Sequence, residues 1–141
     1  MKKITYALLL VFGMSVLFSS CGKEGNGGFD SIVGTWEIVS MEGWGESESV
    51  EETYICFKKD GTFIDFGYND VSDRNYVSYG RWSLAGNSLS FLYDEAFDSD
   101  FINFPWGVTV LEIKTNTMNW SILGCTIKLK RVSDSVIKKY L

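Results

Sequence analysis

The chain has 141 residues, with 18 acidic and 13 basic side chains, no histidine and a formal net charge of −5. This acidic balance argues against nucleic acid as a partner, and the lack of histidine excludes Ser-His-Asp and Cys-His catalysis and the commonest zinc and copper ligand. The 16% of aromatic residues, 14 glycines and single proline indicate a β-rich domain with many turns.

The first 20 residues have the pattern of a secretory signal. A basic start, Met1-Lys2-Lys3, precedes an apolar run over 4–17, which is shorter than the roughly 20 residues that span a bilayer. The segment 17–21 (Leu-Phe-Ser-Ser-Cys) resembles a lipobox: its two serines fit the pattern and Phe18 departs from it. By this resemblance 1–20 is a cleaved signal peptide and Cys21 is lipidated. The alternative is an ordinary secretory signal with a chance cysteine.

A lipidated Cys21 implies a protein anchored to the bacterial outer membrane, on its periplasmic or its cell-surface face. Several acyl chains form a stable anchor where one chain does not. Residues 21–31 are rich in glycine with little to bury, so we predict a flexible tether. Without 1–20 the chain has 121 residues and a net charge of −7, which suits one domain and disfavours lying flat on an anionic membrane.

The domain predicted over 32–132 consists of eight β-strands. Apolar alternation and turn residues predict the strands 32–41, 52–58, 62–68, 75–84, 88–93, 106–115, 117–122 and 124–131. Short turns alternate with longer connections at 42–51, 69–74 and 94–105. Because successive turns of a meander lie at opposite ends, the longer connections share one rim. The pattern predicts an all-β, antiparallel up-and-down barrel with one open end. A tail over 133–141 follows, which can form a short helix capped by Ser133 or Asp134.

Alternation also assigns the inward faces of the strands. The predicted inward side chains are Trp36, Ile38, Ile55, Phe57, Trp82, Leu84, Leu89, Phe91, Leu111, Ile113, Met118, Trp120, Ile127 and Leu129. Strand 62–68 is ambiguous, because a one-residue slip reverses its faces. The hairpin register favours Phe63 and Asp65 inward, with Arg81 as a partner for Asp65. Cys56 and Cys125 then face opposite ways, so two free thiols are expected rather than a disulfide.

The run Gly34-Thr35-Trp36 resembles the Gly-x-Trp opening of lipocalins and of small bacterial lipocalin-like lipoproteins. In that family the Trp plugs the closed end of the barrel, and an Arg at the end of the last strand packs across it. Arg131 stands in that position. The family's middle motif, Thr-Asp-Tyr, is absent, and Thr115-Asn116-Thr117 replaces it. The resemblance covers 32–131 and implies a lipocalin-like barrel with Gly34, Trp36 and Arg131 as its structural motif.

Aromatic side chains interleave with carboxylates in and beside the longer connections. We predict that a small apolar or aromatic ligand binds at the open rim, and the candidate residues are Trp44, Tyr68, Tyr76, Tyr93, Phe101 and Trp106. Alternatively, these rings pack the loops, and the rim is an interaction surface for a protein or a glycan. The carboxylates over 94–100 have calcium-loop spacings without the required Gly, which favours a solvated acidic rim. No metal, cofactor or enzymatic activity is expected; a glycosidase would need two carboxyls at a fixed separation.

Overall fold

The computed structural model describes residues 29–43, 46–50 and 52–141. A helical turn, α1 (Phe29–Ile32), precedes the strands. These are β1 (Gly34–Gly43), β2 (Glu46–Ser49), β3 (Thr53–Phe57), β4 (Thr62–Asn69), β5 (Arg74–Ala85), β6 (Ser88–Glu95), β7 (Pro105–Ile113), β8 (Thr117–Ile122) and β9 (Cys125–Val132). Two 3-10 helices cover Ser99–Phe101 and Asp134–Lys139. The expected signal peptide 1–20, the lipidation site Cys21 and the candidate residue Trp44 lie outside the described residues.

Eight of the described strands close into an antiparallel ring. Strands β3 to β9 pair in chain order, and β1 joins the two ends by pairing with both β3 and β9. The remaining strand, β2, folds back on the last four residues of β1, inside the connection predicted as a long loop. The prediction of an eight-stranded antiparallel barrel is confirmed, and β2 is an addition that the sequence pattern did not indicate.

The short turns lie at one end of the barrel, together with α1. Ile32 is fully buried in the core, and its carbonyl oxygen accepts a 2.8 Å hydrogen bond from Trp36 Nε1. Residues 29–31 were predicted to belong to the flexible tether, and β1 to begin at Ile32. These two boundaries are wrong, because burial of Ile32 and its bond to Trp36 stabilise a helical turn that plugs the barrel. β1 begins at Gly34.

The opposite end of the barrel is open. It carries the connection with β2, the turn 70–73 between β4 and β5, and the connection 96–104 between β6 and β7. The turn between β4 and β5 is shorter than the predicted connection 69–74, because β4 extends to Asn69 and β5 already begins at Arg74. The connections therefore share one rim, as the alternation of short and long turns predicted.

The predicted inward faces are correct at every position but one. The buried core contains Trp36, Ile55, Phe57, Trp82, Leu89, Phe91, Met118, Trp120, Ile127 and Leu129, with Ile38, Leu84 and Ile113 packed against it. Phe63 is also inward, at 1% exposure, as the hairpin register predicted. The prediction for Leu111 is wrong, because its side chain is 49% exposed. A bulge between Val110 and Glu112 reverses the alternation, so Val108 and Val110 fill the core instead.

The C-terminal tail covers an apolar patch on the outside of β3 and β4. Tyr54 and Phe66 point outward, and the ring of Tyr140 lies 5.5 Å and 5.6 Å from theirs. Asp134 accepts a 2.8 Å hydrogen bond from Thr35 at the closed end, and Lys139 forms a 2.9 Å ion pair with Glu52 near the open end. Ser133 caps the 3-10 helix. The tail was expected to stay at the closed end, but it runs along the barrel wall.

The two cysteines of the barrel do not form a disulfide. Cys56 is half-buried and Cys125 is buried, and both are free thiols, as their opposed strand faces predicted. None of the helices described in the structure combines the length and apolar character needed to cross a membrane.

Candidate functional site

A partly open cavity of about 190 Å³ occupies the open half of the barrel. Seven of the eight ring strands contribute to its wall, and most of the wall is apolar or aromatic. The lining residues are Ile38, Thr53, Ile55, Asp65, Tyr76, Phe91, Tyr93, Trp106, Val108, Trp120 and Ile122. An apolar concave wall with a few polar groups is the usual composition of a small-molecule site.

Side-chain size along the strands explains why the cavity lies at this end. In the closed half, large rings fill the barrel: Phe57 lies 5.2 Å from Trp82 and 5.8 Å from Phe91, measured between ring centroids. Toward the open end the inward positions of β4 and β5 include two small residues, Gly67 opposite Tyr76 and Ser78 opposite Asp65. The Ser78 hydroxyl accepts a 3.1 Å hydrogen bond from the backbone N–H of Phe97. The closed half is therefore filled by rings, and the unfilled space lies toward the open end. At Gly67 the backbone of Glu52, and not the cavity, occupies the space of a side chain.

Asp65 places a carboxylate in this cavity. Its Oδ2 accepts a 2.8 Å hydrogen bond from the Tyr93 hydroxyl, and its Oδ1 accepts a 3.3 Å bond from the Tyr76 hydroxyl. Asp65 was predicted to face inward, and it does; the predicted partner is wrong. Arg81 projects outward and forms a two-point pair with Asp94, with Nη2–Oδ1 and Nε–Oδ2 distances of 2.9 Å and 3.2 Å. Residues 65 and 81 therefore face opposite sides of the sheet.

The environment of this carboxylate shifts its protonation. Burial raises the pKa of Asp65 to about 6, and the hydrogen bonds from Tyr93 and Tyr76 partly oppose the rise. Burial, followed by the charge of Asp65, raises the pKa of both tyrosines, which keeps their hydroxyls protonated. Tyr76 also shares a hydrogen bond with the side chain of Thr53. The cluster therefore presents a carboxylate whose two oxygens are oriented by neutral donors.

Two buried indole N–H groups belong to the residues that line the cavity. The Nε1 atoms of Trp106 and Trp120 are shielded from solvent and have no hydrogen-bond partner among the described residues. Trp120 as a whole is only 4% exposed. Buried donors are usually paired, and an unpaired one costs about 1–3 kcal/mol. Because both Nε1 atoms are shielded, the two indoles present their rings rather than their N–H groups to the cavity.

The predicted ligand-binding residues separate into two groups. Tyr76, Tyr93 and Trp106 line the cavity. Phe101 does not; its ring packs 5.4 Å from Trp106 and 6.1 Å from Tyr93, and it supports the wall from the 96–104 connection. Tyr68 does not line the cavity either: it is 37% exposed and its hydroxyl donates to Asp73. Both interpretations, pocket lining and loop packing, thus apply, each to different aromatic residues.

Sequence reasoning missed Asp65 as a site residue. The signal is present in the favoured register, which turns a carboxylate inward next to Phe63, but an inward carboxylate equally indicates half of an ion pair. Phe91 and Trp120 were assigned to the core; they belong to the core and to the cavity wall at once.

Two of the four acidic residues in the 94–100 segment have structural partners for their carboxylates. Asp94 pairs with Arg81, and Asp98 caps the 3-10 helix by accepting a 3.0 Å bond from the backbone N–H of Asp100. Within the ranges that the structure describes, no cluster of three or more cysteine or acidic side chains is arranged to hold a metal ion.

Residues 32–120 match the sequence model of the lipocalin-like domain family. The chain belongs to this family. The match extends from α1 through most of β8, and so includes Gly34 and Trp36 but not Arg131. No curated protein sequence matches the chain at a significant level.

Solved structures share the lipocalin-like fold. A lipocalin-like protein from Bacteroides uniformis is 16% identical, with a TM-score of 0.64; the alignment covers 72% of this chain and 99% of that one. An uncharacterised protein from Bacteroides eggerthii is 17% identical, with a TM-score of 0.60 and the same coverage. At these identities the likeness extends to the fold alone.

Proposed function

We propose that this lipocalin-like domain binds a small apolar or aromatic ligand at its open rim, and that lipidated Cys21 anchors it to the bacterial outer membrane. The single observation that carries the binding proposal is the cavity in the open half, whose wall includes Tyr76, Tyr93 and Trp106. Its volume of about 190 Å³ is below the roughly 300–1,000 Å³ of sites for drug-sized ligands. The ligand is therefore small, or it inserts one ring and leaves the remainder at the rim.

The position of α1 supports the anchoring proposal. Its last residue, Ile32, is buried at the closed end, so the preceding chain enters the barrel there. A lipid on Cys21 would hold the closed end toward the membrane and leave the open end facing away from it. A diffusing ligand could then reach the cavity on either the periplasmic or the cell-surface face.

A second candidate function rests on the exposed part of the rim. Phe97, Ile102 and Phe104 belong to the 96–104 connection and are 45%, 36% and 52% exposed. None of them lines the cavity. Apolar side chains grouped on one exposed loop are suited to contact with a protein or a glycan. In this alternative the loop binds a partner and the cavity stays empty.

The experiment that separates the two functions fills the cavity without touching the loop. Val108 lies in the cavity wall and is 8% exposed, so Val108→Phe should occupy the ligand's space. Leu111→Phe, on the same strand but on the exposed face, is the matched control. Native mass spectrometry of protein purified from its own host should detect a retained small molecule in the wild type and in Leu111→Phe only. Absence of any retained mass, or an equal mass in Val108→Phe, would favour the loop-contact alternative.

A further inference from the structure

We propose that the ligand of this cavity is a small organic cation, an amine whose ammonium group pairs with Asp65 between the surrounding aromatic rings; this inference rests on the proposed function. Two features of the described residues carry it: a carboxylate with no positive partner, and a set of aromatic residues that line the same cavity.

Among the residues that the structure describes, the carboxylate of Asp65 has hydrogen-bond donors but no positive partner. Tyr93 and Tyr76 each donate one bond, one to each oxygen. Among the described lining residues none is basic, and the sequence has no histidine. Arg81 forms an ion pair with Asp94 on the outer face of the barrel. A carboxylate has about four acceptor sites, so two remain for an ammonium group, which has up to three donors.

An unpaired buried charge is unfavourable, and a bound cation would remove that penalty. Transfer of an ionised carboxylate away from water costs several kcal/mol unless an opposite charge accompanies it. The raised pKa of Asp65, about 6, expresses this penalty and still leaves the group ionised at neutral pH. The titratable groups that face it from the neighbouring strands are the hydroxyls of Tyr76 and Tyr93, and both stay neutral.

The rings around Asp65 suit a cation better than they suit an anion. Tyr76, Phe91, Tyr93, Trp106 and Trp120 line the same cavity. The faces of aromatic rings carry negative electrostatic potential and attract ammonium groups, by about 2 kcal/mol or more when water is excluded. An anionic ligand would be repelled by the carboxylate and would gain no attraction from ring faces.

The lining also limits the body of the ligand. Apart from Asp65, Thr53 and the tyrosine hydroxyls, the wall is apolar or aromatic. The ligand class that fits it is therefore a compact amine with an apolar or aromatic body.

The test compares probes of nearly equal shape and different charge. Phenethylamine, phenethyl alcohol and phenylacetate are titrated into the folded protein at neutral pH, and affinity is measured by calorimetry or by tryptophan fluorescence. Because a hydrogen bond to a charged group contributes about 1.5–3 kcal/mol, phenethylamine should bind about tenfold or more tightly than the alcohol. Phenylacetate should bind most weakly.

Two variants locate the effect. Asp65→Asn keeps acceptor and donor capacity toward the two tyrosines, and should reduce phenethylamine affinity by about tenfold or more while leaving the alcohol within about twofold. Asp94→Asn removes an exposed carboxylate at the same end of the barrel and should change phenethylamine affinity by less than about twofold, as screened surface charges do. Near-ultraviolet circular dichroism checks that both variants are folded.

Each other result overturns the inference in a distinguishable way. Equal affinity for amine and alcohol would retain a ligand cavity but reject the cation. An equal loss in Asp94→Asn and Asp65→Asn would assign the attraction to the acidic rim in general. If no probe binds, the cation inference fails, while the proposed function is judged separately by the mass retained on protein from its host.

Discussion

The guanidinium group of Arg131 lies over the indole of Trp36, with its central carbon 4.2 Å from the ring centroid. The same group donates to the carbonyl oxygens of Ser31, Val33 and Thr115 at 2.6–2.7 Å. It therefore joins α1, the start of β1 and the β7–β8 turn at the closed end. The contact between Trp36 and Arg131 that the family resemblance implied is present, and it holds the plug against the barrel.

Trp36 and Trp106 should differ sharply in their contribution to stability. Trp36 is fully buried at the closed end, so Trp36→Ala should lower the free energy of unfolding by about 3–5 kcal/mol. Trp106 is half-buried beside Phe101 and Phe104, so Trp106→Ala should cost less and should abolish ligand binding. Urea unfolding measures the first effect and titration measures the second. Equal losses of stability would mean that Trp106 is a packing residue and not part of a binding mouth.

Gly34 should be required for the position of Arg131. Its φ is +127°, and a Cβ at this position would lie 2.5 Å from Arg131 Nη1. Gly34→Ala should therefore destabilise the fold by about 1–3 kcal/mol, from backbone strain plus displacement of the guanidinium. Gly86→Ala is the matched control, because φ is +61° there and a Cβ would meet nothing within 4 Å. If denaturant unfolding gives the same loss for both, the cost is backbone strain alone.

The C-terminal tail should contribute to stability through Tyr140. Its ring is 5% exposed and covers Tyr54 and Phe66 on the outside of the barrel. Tyr140→Ala should lower the free energy of unfolding by about 3 kcal/mol, in the range of other aromatic truncations. Leu141→Ala, at a side chain that is 76% exposed, should change it by less than about 0.5 kcal/mol. A tail that melts separately, before the barrel, would show instead that it only rests on the surface.

The sequence pattern predicted the barrel and its closed end because those depend on local signals. Alternation places apolar side chains on one face whatever the neighbouring strand is, and Gly34-Thr35-Trp36 identifies the plug. The predicted face of Leu111 was wrong because a bulge shifts the alternation by one residue and leaves no signature in the apolar pattern. Phe66 faces outward when Phe63 and Asp65 face inward, yet it is buried by a tail that is distant along the chain.

The candidate site was harder to predict for a related reason. Its aromatic members were recognisable as types, but only three-dimensional packing separates Tyr76, which lines the cavity, from Phe101, which supports it. The inward direction of the Asp65 side chain could be predicted from the hairpin register alone. Its partners could not be identified, because a buried carboxylate suggests an ion pair, whereas the structure provides two tyrosine hydroxyls from β5 and β6.

The stability of the domain should decrease as the pH rises through the range in which Asp65 titrates. The pKa of this carboxyl is raised by burial from 3.8 to about 6, so between these values the folded protein binds a proton that the unfolded chain has released. Folding is therefore favoured at the lower pH. This contribution is lost as the pH rises from about 4 to about 6. Above that range the total loss of stability amounts to about 2–3 kcal/mol.

Asp65→Asn should remove that part of the pH dependence. The variant cannot ionise, and its amide can still bond to Tyr76 and Tyr93, so it should be more stable than the wild type above pH of about 6 and similar to it near pH 4. Asp94→Asn, whose carboxyl is 45% exposed, should keep the wild-type profile in this range. Thermal unfolding measured across the range in the absence of ligand makes the comparison. The contrary result is an equal rise in stability from pH 4 to 6 in the wild type and in Asp65→Asn. It would mean that other carboxyl groups dominate the pH dependence and that Asp65 is not desolvated in the cavity.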